Sequence, residues 1–183
     1  QEGLPQHLQL PGKIRDYFGQ DSQEQIHIDP YRTGIPAPAY HGAGIIKTQA
    51  DYNRIQPYLY PKENFIRQPI DMVRNWSKQQ EAGDTVVWVS LKGFFGWPRQ
   101  LLGIERHLFA FYDQPELMHE INQDLCDFNC RAIEELARIV KPTFMTFLED
   151  LSYNHGPMLS EQAFDTFLAP YYRQLIPVLE KYG

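Results

Sequence analysis

The chain has 183 residues, of which 43% are hydrophobic and 14% aromatic, and its formal net charge is −6 at pH 7. This composition suits one folded domain, or a piece of a larger one, and argues against disorder. The lysines and arginines form no basic stripe, so nucleic acid is not an expected partner. No apolar run approaches the roughly 20 residues that cross a bilayer, and the first residues show no signal-peptide pattern. We therefore expect a cytoplasmic protein that does not bind membranes.

Helical and strand patterns alternate along the chain. Helices are predicted at 11–18, 51–59, 62–82, 98–112, 115–140 and 160–183. Strands are predicted at 24–29, 44–48, 85–91 and 143–148. The runs at 85–91 and 143–148 read as apolar on both sides, which is typical of parallel strands that are covered on both faces.

Four residues predict where the later helices begin and bend. Pro98 and Pro115 suit the first turn of a helix, where the missing N–H group is no loss. Ser160 is expected to cap the last helix, and Pro170 to kink it.

The alternation of strands and helices predicts an α/β fold with a parallel sheet and helices outside it. A closed (β/α)8 barrel takes about 250 residues, and this chain offers only three or four convincing strands. We therefore expect a partial barrel, whose open edges would need further strands or a second copy of the chain to cover them. A small open α/β sheet is the structural alternative.

Two acidic residues follow the strand predicted at 143–148. In parallel α/β folds the ligand crevice lies at the carboxyl ends of the strands, so Glu149 and Asp150 are candidate catalytic residues. His155, in the polar loop beyond them, is a third candidate because histidine exchanges protons near neutral pH. The alternative is that all three are solvated loop residues.

An aromatic cluster follows the strand predicted at 85–91. Phe94, Phe95 and Trp97 would bind a flat conjugated ligand by stacking, and Arg99 would grip a carboxylate with two hydrogen bonds. The alternative for the aromatic residues is packing that caps the core, and for Arg99 a solvated surface position.

The end of the first predicted strand adds further candidates. Asp29, Tyr31 and Arg32 would bring an acid and a base to the same rim of the sheet as substrate-binding residues. Cys126 and Cys130 lie one helical turn apart, which is a poor geometry for a disulfide bond and an incomplete zinc set, so we expect them to be packing residues.

The chain resembles the uroporphyrinogen decarboxylase family through a series of motifs in the same order and spacing. They are Gly93-Phe94-Phe95-Gly96-Trp97-Pro98, Leu102-Gly103-Ile104-Glu105, Gln114-Pro115-Glu116, Phe147-Leu148-Glu149-Asp150, Gly156-Pro157-Met158-Leu159-Ser160, and Phe164 through Pro170-Tyr171. Two earlier stretches look like the N-terminal region of the decarboxylase-like branch, namely Glu2-Gly3-Leu4-Pro5 and Tyr17-Phe18-Gly19. The resemblance covers nearly the whole chain, and it implies one domain over 1–183 that is incomplete at both ends.

The resemblance implies a TIM barrel and one of two activities. Members of the family either decarboxylate tetrapyrrole acetates without a cofactor, or move methyl groups between corrinoid proteins and thiols with a zinc ion that activates a thiolate. The arginine-rich N-terminal motif of the true decarboxylases is missing here, as is the tyrosine after the Gly-Phe-x-Gly-x-Pro turn, and Glu149-Asp150 with a longer loop displaces the family's serine. These departures favour the methyltransferase type.

The cofactors and partners follow from that choice. A methyltransferase would use zinc and a corrinoid, bound to a corrinoid protein, whereas a decarboxylase would need neither. The zinc ligands of the family are expected beyond residue 183, so we expect no metal ligands within residues 1–183. The ligand would be a small molecule or a tetrapyrrole. A homodimer is one way to cover the open edges of the sheet. A non-catalytic binding protein is the third alternative for the function.

Overall fold

The sheet at the centre of the fold has three parallel strands. The structure is a computed structural model that describes residues 13–31 and 34–182. Its strands β1 (Gln23–His27), β2 (Val86–Lys92) and β3 (Phe144–Leu148) lie side by side in sequence order. The predictions of strands at 24–29, 85–91 and 143–148, and of a parallel pairing, are therefore confirmed.

Helices occupy most of the remaining chain. They are α1 (Lys13–Phe18), α2 (Gln49–Ile55), a 3-10 turn (Gln56–Tyr58), α3 (Ile70–Glu81), α4 (Gly96–Leu102), α5 (Ile104–Asp113), α6 (Pro115–Leu136), α7 (Glu161–Phe167) and α8 (Ala169–Tyr182). A small hairpin joins β4 (Ser152–Tyr153) to β5 (Gly156–Pro157). Within the described residues, no helix has the length and apolar character that a membrane span requires.

Local signals account for several helix ends. The Ser160 hydroxyl accepts a hydrogen bond from the Ala163 N–H group, which confirms the predicted cap of α7. Thr48 and Asp51 form a reciprocal capping box at the start of α2, where each side chain satisfies a backbone N–H group of the other residue. Pro115 occupies the first position of α6, as predicted.

The strand predicted at 44–48 is absent, and the prediction was wrong. Ile45 and Ile46 form a short apolar run that resembles a strand, but both of their N–H groups donate to the Leu101 carbonyl oxygen at the end of α4. A side chain at Gly44 would overlap the backbone of Leu102, so this loop packs directly against the helix end. No described strand lies next to it with which it could pair.

The helix predicted at 62–82 begins only at Ile70, so its first part was also wrong. The segment before it runs antiparallel along the outer edge of β1, where Asp29 N–H donates to Phe65 and Arg67 N–H donates to His27. Pro69 explains the late start, because a proline disfavours helical geometry in the residue before it. The apolar residues at 65 and 66 therefore complete a sheet edge.

Two predicted helices are each divided in two. The helix predicted at 98–112 breaks at Gly103, which has φ 80° and connects α4 to α5. The helix predicted at 160–183 breaks at Leu168, between α7 and α8, and not at a kink on Pro170. Pro170 lies in the first turn of α8, where a proline is tolerated.

The two faces of the sheet differ. Ile26, Val87 and Leu91 are fully buried on the face that the helices cover. The opposite face is mixed, because Gln25 donates to the Ser90 hydroxyl (2.8 Å) and that hydroxyl bonds to Thr146 (2.8 Å). The expectation that β2 and β3 are apolar on both sides was therefore wrong for this second face.

Both cysteines are free thiols. Cys126 is buried against α8 and Cys130 is half-buried one turn later on α6. The prediction that they form no disulfide bond is confirmed.

Candidate functional site

A cavity of about 670 Å³ lies where the chain leaves the three parallel strands. Tyr31 follows β1, Trp97 and Arg99 belong to α4 after β2, and Asp150 follows β3, and all four line this cavity. Its other lining residues are mostly apolar and include Ile35, Ala43, Ile45, Leu101 and Ile104. The structure thus brings together four of the residues that the sequence marked as candidates.

Two aromatic rings form one wall of the cavity. The rings of Tyr31 and Trp97 are stacked, with centroids 6.2 Å apart and planes that differ by 5°. Trp97 is only 2% exposed, whereas Tyr31 is 41% exposed. Tyr31 therefore presents its ring to the cavity, and Trp97 supports it from behind.

A buried hydrogen-bond chain holds Trp97 in place. The Trp97 Nε1–H group donates to the Tyr60 hydroxyl (3.0 Å), which lies 3.0 Å from the Tyr52 hydroxyl. Tyr52 in turn donates to the Asp124 carboxylate on α6 (2.7 Å). Burial raises the pKa of both tyrosines well above the ordinary value, so they stay protonated and remain donors. The sequence analysis missed this chain, since its four residues come from separate elements.

Arg99 and Asp150 form an ion pair at the mouth of the cavity. The Arg99 Nη2 and Asp150 Oδ2 atoms are 2.5 Å apart, and Arg99 Nη1 also donates to the Asp150 carbonyl oxygen. The guanidinium group lies over the Phe95 ring, 5.7 Å from its centroid. The Arg99 side chain is 21% exposed and that of Asp150 75%, so the arginine is largely covered and the aspartate reaches into solvent.

Glu149 lies beneath the cavity and does not line it. Its carboxylate accepts hydrogen bonds from the N–H groups of Phe95 (3.0 Å) and Gly96 (2.6 Å), and from the Tyr172 hydroxyl (2.6 Å). A side chain at Gly93 would overlap this carboxylate, and one at Gly96 would overlap the backbone of β3. The two glycines of the Gly-Phe-Phe-Gly turn therefore make room for Glu149, which fastens the end of β3 to the start of α4.

Burial and hydrogen bonding shift the pKa of this carboxylate in opposite directions. Burial raises the pKa of Glu149 above its ordinary value, and the hydrogen bonds from Tyr172, Phe95 and Gly96 offset part of that effect. With its oxygens occupied by three donors, Glu149 acts here as a positioning residue.

The remaining candidates lie away from the cavity. Phe94 and Phe95 are fully buried, and their rings pack on Tyr172 (4.8 Å) and His107 (4.5 Å), as in the packing alternative. His155 is exposed in the turn between β4 and β5, next to the Tyr153 ring.

Of the candidate residues that follow β1, Tyr31 lines the cavity and Asp29 does not. The Asp29 carboxylate is held by Arg67 through three N–O contacts of 2.8 to 3.0 Å, so it pairs with a residue that the sequence analysis had placed inside a helix. Tyr31 lines the cavity, and Arg32 lies outside the described residues.

The part of the chain that the structure describes offers no set of metal ligands. Within 13–31 and 34–182, no three His, Cys, Asp or Glu side chains are grouped so that they could hold a metal ion. No protein-family model, curated protein or solved structure matches the chain. The residues of the cavity themselves therefore carry the functional proposal.

Proposed function

We propose that the chain is part of a (β/α)8 barrel of the uroporphyrinogen decarboxylase type. We further propose that it belongs to a cytoplasmic methyltransferase-type enzyme that acts with a corrinoid or another tetrapyrrole-related partner. One observation carries the proposal: Tyr31, Trp97 and Asp150, which follow three successive parallel strands, line a single cavity. In barrel enzymes the active site is built from the loops at this end of the strands. The strand order β1-β2-β3 is also the order that such a barrel requires.

The shape and lining of the cavity suit the edge of a flat, conjugated ligand. Its volume of about 670 Å³ lies in the usual range of small-molecule sites. The Tyr31 ring, backed by Trp97, offers a flat apolar surface on which a conjugated ring would stack. The peripheral carboxylates or amides of a tetrapyrrole would then lie beside Arg99, which keeps unused N–H donors besides those that bind Asp150.

The three candidate catalytic residues take different roles in this proposal. Asp150 is exposed at the cavity and is the group that would exchange a proton with a bound ligand. His155, on the hairpin that begins just after Asp150, lies outside the cavity and takes no part in this proposal. Glu149 would hold the end of β3 and the start of α4 in position.

Decarboxylation of uroporphyrinogen acetate side chains is the second candidate, and Arg99 is the observation that favours it. A guanidinium group in the cavity wall would pair with an acetate of the substrate before CO₂ leaves. The Asp150 carboxylate, however, already neutralises this arginine, which favours a ligand with fewer negative charges. A non-catalytic binding protein would use the same cavity without turnover.

Binding of two probes tests the proposal. Hydroxocobalamin represents the corrinoid and uroporphyrin the tetracarboxylic tetrapyrrole, and quenching of tryptophan fluorescence reports binding near Trp97. We expect hydroxocobalamin to bind, Tyr31→Ala to weaken that binding about tenfold through loss of stacking, and Trp76→Phe on α3 to leave it unchanged. Preference for uroporphyrin would favour the decarboxylase, and binding of neither probe would overturn the proposal.

A further inference from the structure

The cavity holds one pair of opposite charges in a largely apolar lining. Arg99 and Asp150 carry these two charges at pH 7, and the other polar side chains that line the cavity are Tyr31, His41 and Gln100. The remaining lining residues are glycine, proline, alanine, isoleucine, leucine and tryptophan. A ligand in the cavity therefore meets a single ion pair against apolar walls.

The ion pair keeps an unused donor beside an unused acceptor. Arg99 Nη2 donates to Asp150 Oδ2 (2.5 Å), and Nη1 donates to the Asp150 carbonyl oxygen (3.3 Å). Among the described residues, no other group accepts a hydrogen bond from this guanidinium and none donates to Asp150 Oδ1. A guanidinium has more N–H groups than these two contacts use, and each carboxylate oxygen can accept a hydrogen bond. The pair can therefore donate to a ligand and accept from it at the same time.

One buried carboxylate fixes the spacing of the pair. The Arg99 guanidinium lies over the Phe95 ring, 5.7 Å from its centroid, and the Phe95 N–H group donates to Glu149 (3.0 Å). Asp150 is the next residue after Glu149 along the chain. Glu149 thus connects the turn that precedes Arg99 to the strand end that carries Asp150. Because this arrangement exists before a ligand binds, little reorganisation opposes binding.

A neutral carboxamide is the group that matches this pair. Its carbonyl oxygen would accept from Arg99 while its N–H group donates to Asp150. A carboxylate would meet the like charge of Asp150, and an ammonium group would meet the like charge of Arg99. A zwitterion would match both charges, but burial of two further charges in an apolar cavity costs far more than burial of one amide.

We propose that Arg99 and Asp150 select a neutral carboxamide of the ligand, carried by the conjugated ring that stacks on Tyr31. This inference rests on the ligand cavity of the function proposed above, and it names the substituent that the cavity prefers. A corrinoid carries carboxamide side chains where uroporphyrin carries carboxylates, so the same selection favours the corrinoid. The Tyr31 ring supplies the stacking surface, and the ion pair supplies the discrimination.

Three probes that share one aromatic ring test the proposal on the native chain. Benzamide carries a neutral carboxamide, benzoate a carboxylate and benzylamine an ammonium group. NMR titration of the Trp97 indole N–H resonance, assigned with Trp97→Phe, measures their binding. We expect benzamide to bind at least about tenfold more tightly than either charged probe. Tyr31→Ala should weaken all three probes alike, because stacking does not depend on the substituent.

Two charge variants separate the roles of the pair. Asp150→Asn removes the negative charge, so the ratio of affinities should shift about tenfold toward benzoate. Arg99→Gln should shift the ratio toward benzylamine by a similar factor. The matched control is Asp71→Asn on α3, which removes the same charge from a side chain that is 95% exposed and lies outside the cavity, and it should leave both ratios unchanged. Because each ratio is measured within one variant, a general loss of folded protein cannot imitate the shift.

The inference is overturned if either charged probe binds the native chain as tightly as benzamide, if no probe binds, or if neither charge variant shifts the ratios. Preference for benzamide without binding of hydroxocobalamin would support this inference and overturn the corrinoid proposal. Binding of hydroxocobalamin without a preference for benzamide would do the reverse.

Discussion

Gly93 lies so close to the Glu149 carboxyl group that a methyl group added to it would overlap the carboxylate. The same carboxylate accepts hydrogen bonds from Phe95 and Gly96, so one acidic side chain at the end of β3 organises the whole turn after β2. This contact positions α4, and with it Trp97 and Arg99, at the cavity.

Replacement of Gly93 by alanine tests this arrangement. We expect Gly93→Ala to destabilise the protein by about 1–3 kcal/mol, because the methyl group must displace the carboxylate or the turn. Urea unfolding measures the change. In the Glu149→Ala background the same substitution should have a much smaller effect, since the overlapping group is gone. Equal effects in both backgrounds would show that the two residues are not in conflict.

His107 predicts a loss of stability in acid. Burial, with a contribution from the Arg99 charge, lowers the pKa of His107 to about 3, and neither ring nitrogen has a hydrogen-bond partner among the described residues. Below about pH 6.5 the unfolded chain therefore binds a proton at His107 that the folded chain does not bind. The free energy of unfolding consequently falls by about 1.4 kcal/mol per pH unit as the pH decreases toward 3.

The pH dependence of unfolding in His107→Leu checks this expectation. The variant should lose this part of the acid sensitivity between about pH 6.5 and 3, because it has no proton to bind. His155→Gln, which alters an exposed histidine, should keep the acid sensitivity of the native chain. A native chain and His107→Leu with parallel stability curves would contradict a buried neutral histidine.

The Tyr60 hydroxyl should stabilise the Trp97 wall of the cavity. Tyr60→Phe leaves the buried Trp97 Nε1–H group without its acceptor, and we expect a loss of about 1–3 kcal/mol together with altered tryptophan fluorescence. Tyr58→Phe is the matched control, because that ring is 51% exposed. In a Trp97→Phe background the effect of Tyr60→Phe should shrink, and a full effect there would assign the loss to the contacts of this hydroxyl with Tyr52 and the Ile121 carbonyl oxygen.

The outer edge of β3 should drive self-association. Among the described residues no strand pairs with this edge, and Phe144 and Leu148 are 47% and 46% exposed on it. We expect residues 1–183 to form dimers or larger species in light scattering, because an open apolar edge strand recruits other strands. Phe144→Lys should reduce the association, whereas Phe109→Lys on α5 should not. A monodisperse monomer that unfolds cooperatively would contradict both association through this edge and the proposed partial barrel.

Residues whose structure depends on near neighbours were predicted well from the sequence. The strands at 85–91 and 143–148 are apolar runs of strand length, and Ser160 and Pro115 begin helices through contacts within one turn. The rule that parallel strands end at the same side of a sheet predicts that Trp97, Glu149, Asp150 and His155 surround one cavity, but of these four only Trp97 and Asp150 line it.

Only the tertiary structure decided which of the candidate side chains face the cavity and which are occupied elsewhere. Two adjacent carboxylates of the same strand end separate, because Glu149 turns toward the N–H groups of a distant turn while Asp150 pairs with Arg99. The segment before α3 became a sheet edge, because unpaired groups of β1 bind it. Composition, the positions of the main strands and helix caps are local properties that the sequence determines by itself. The partners of Glu149 and Asp29 depend on residues far along the chain, whose distances in space no local pattern encodes.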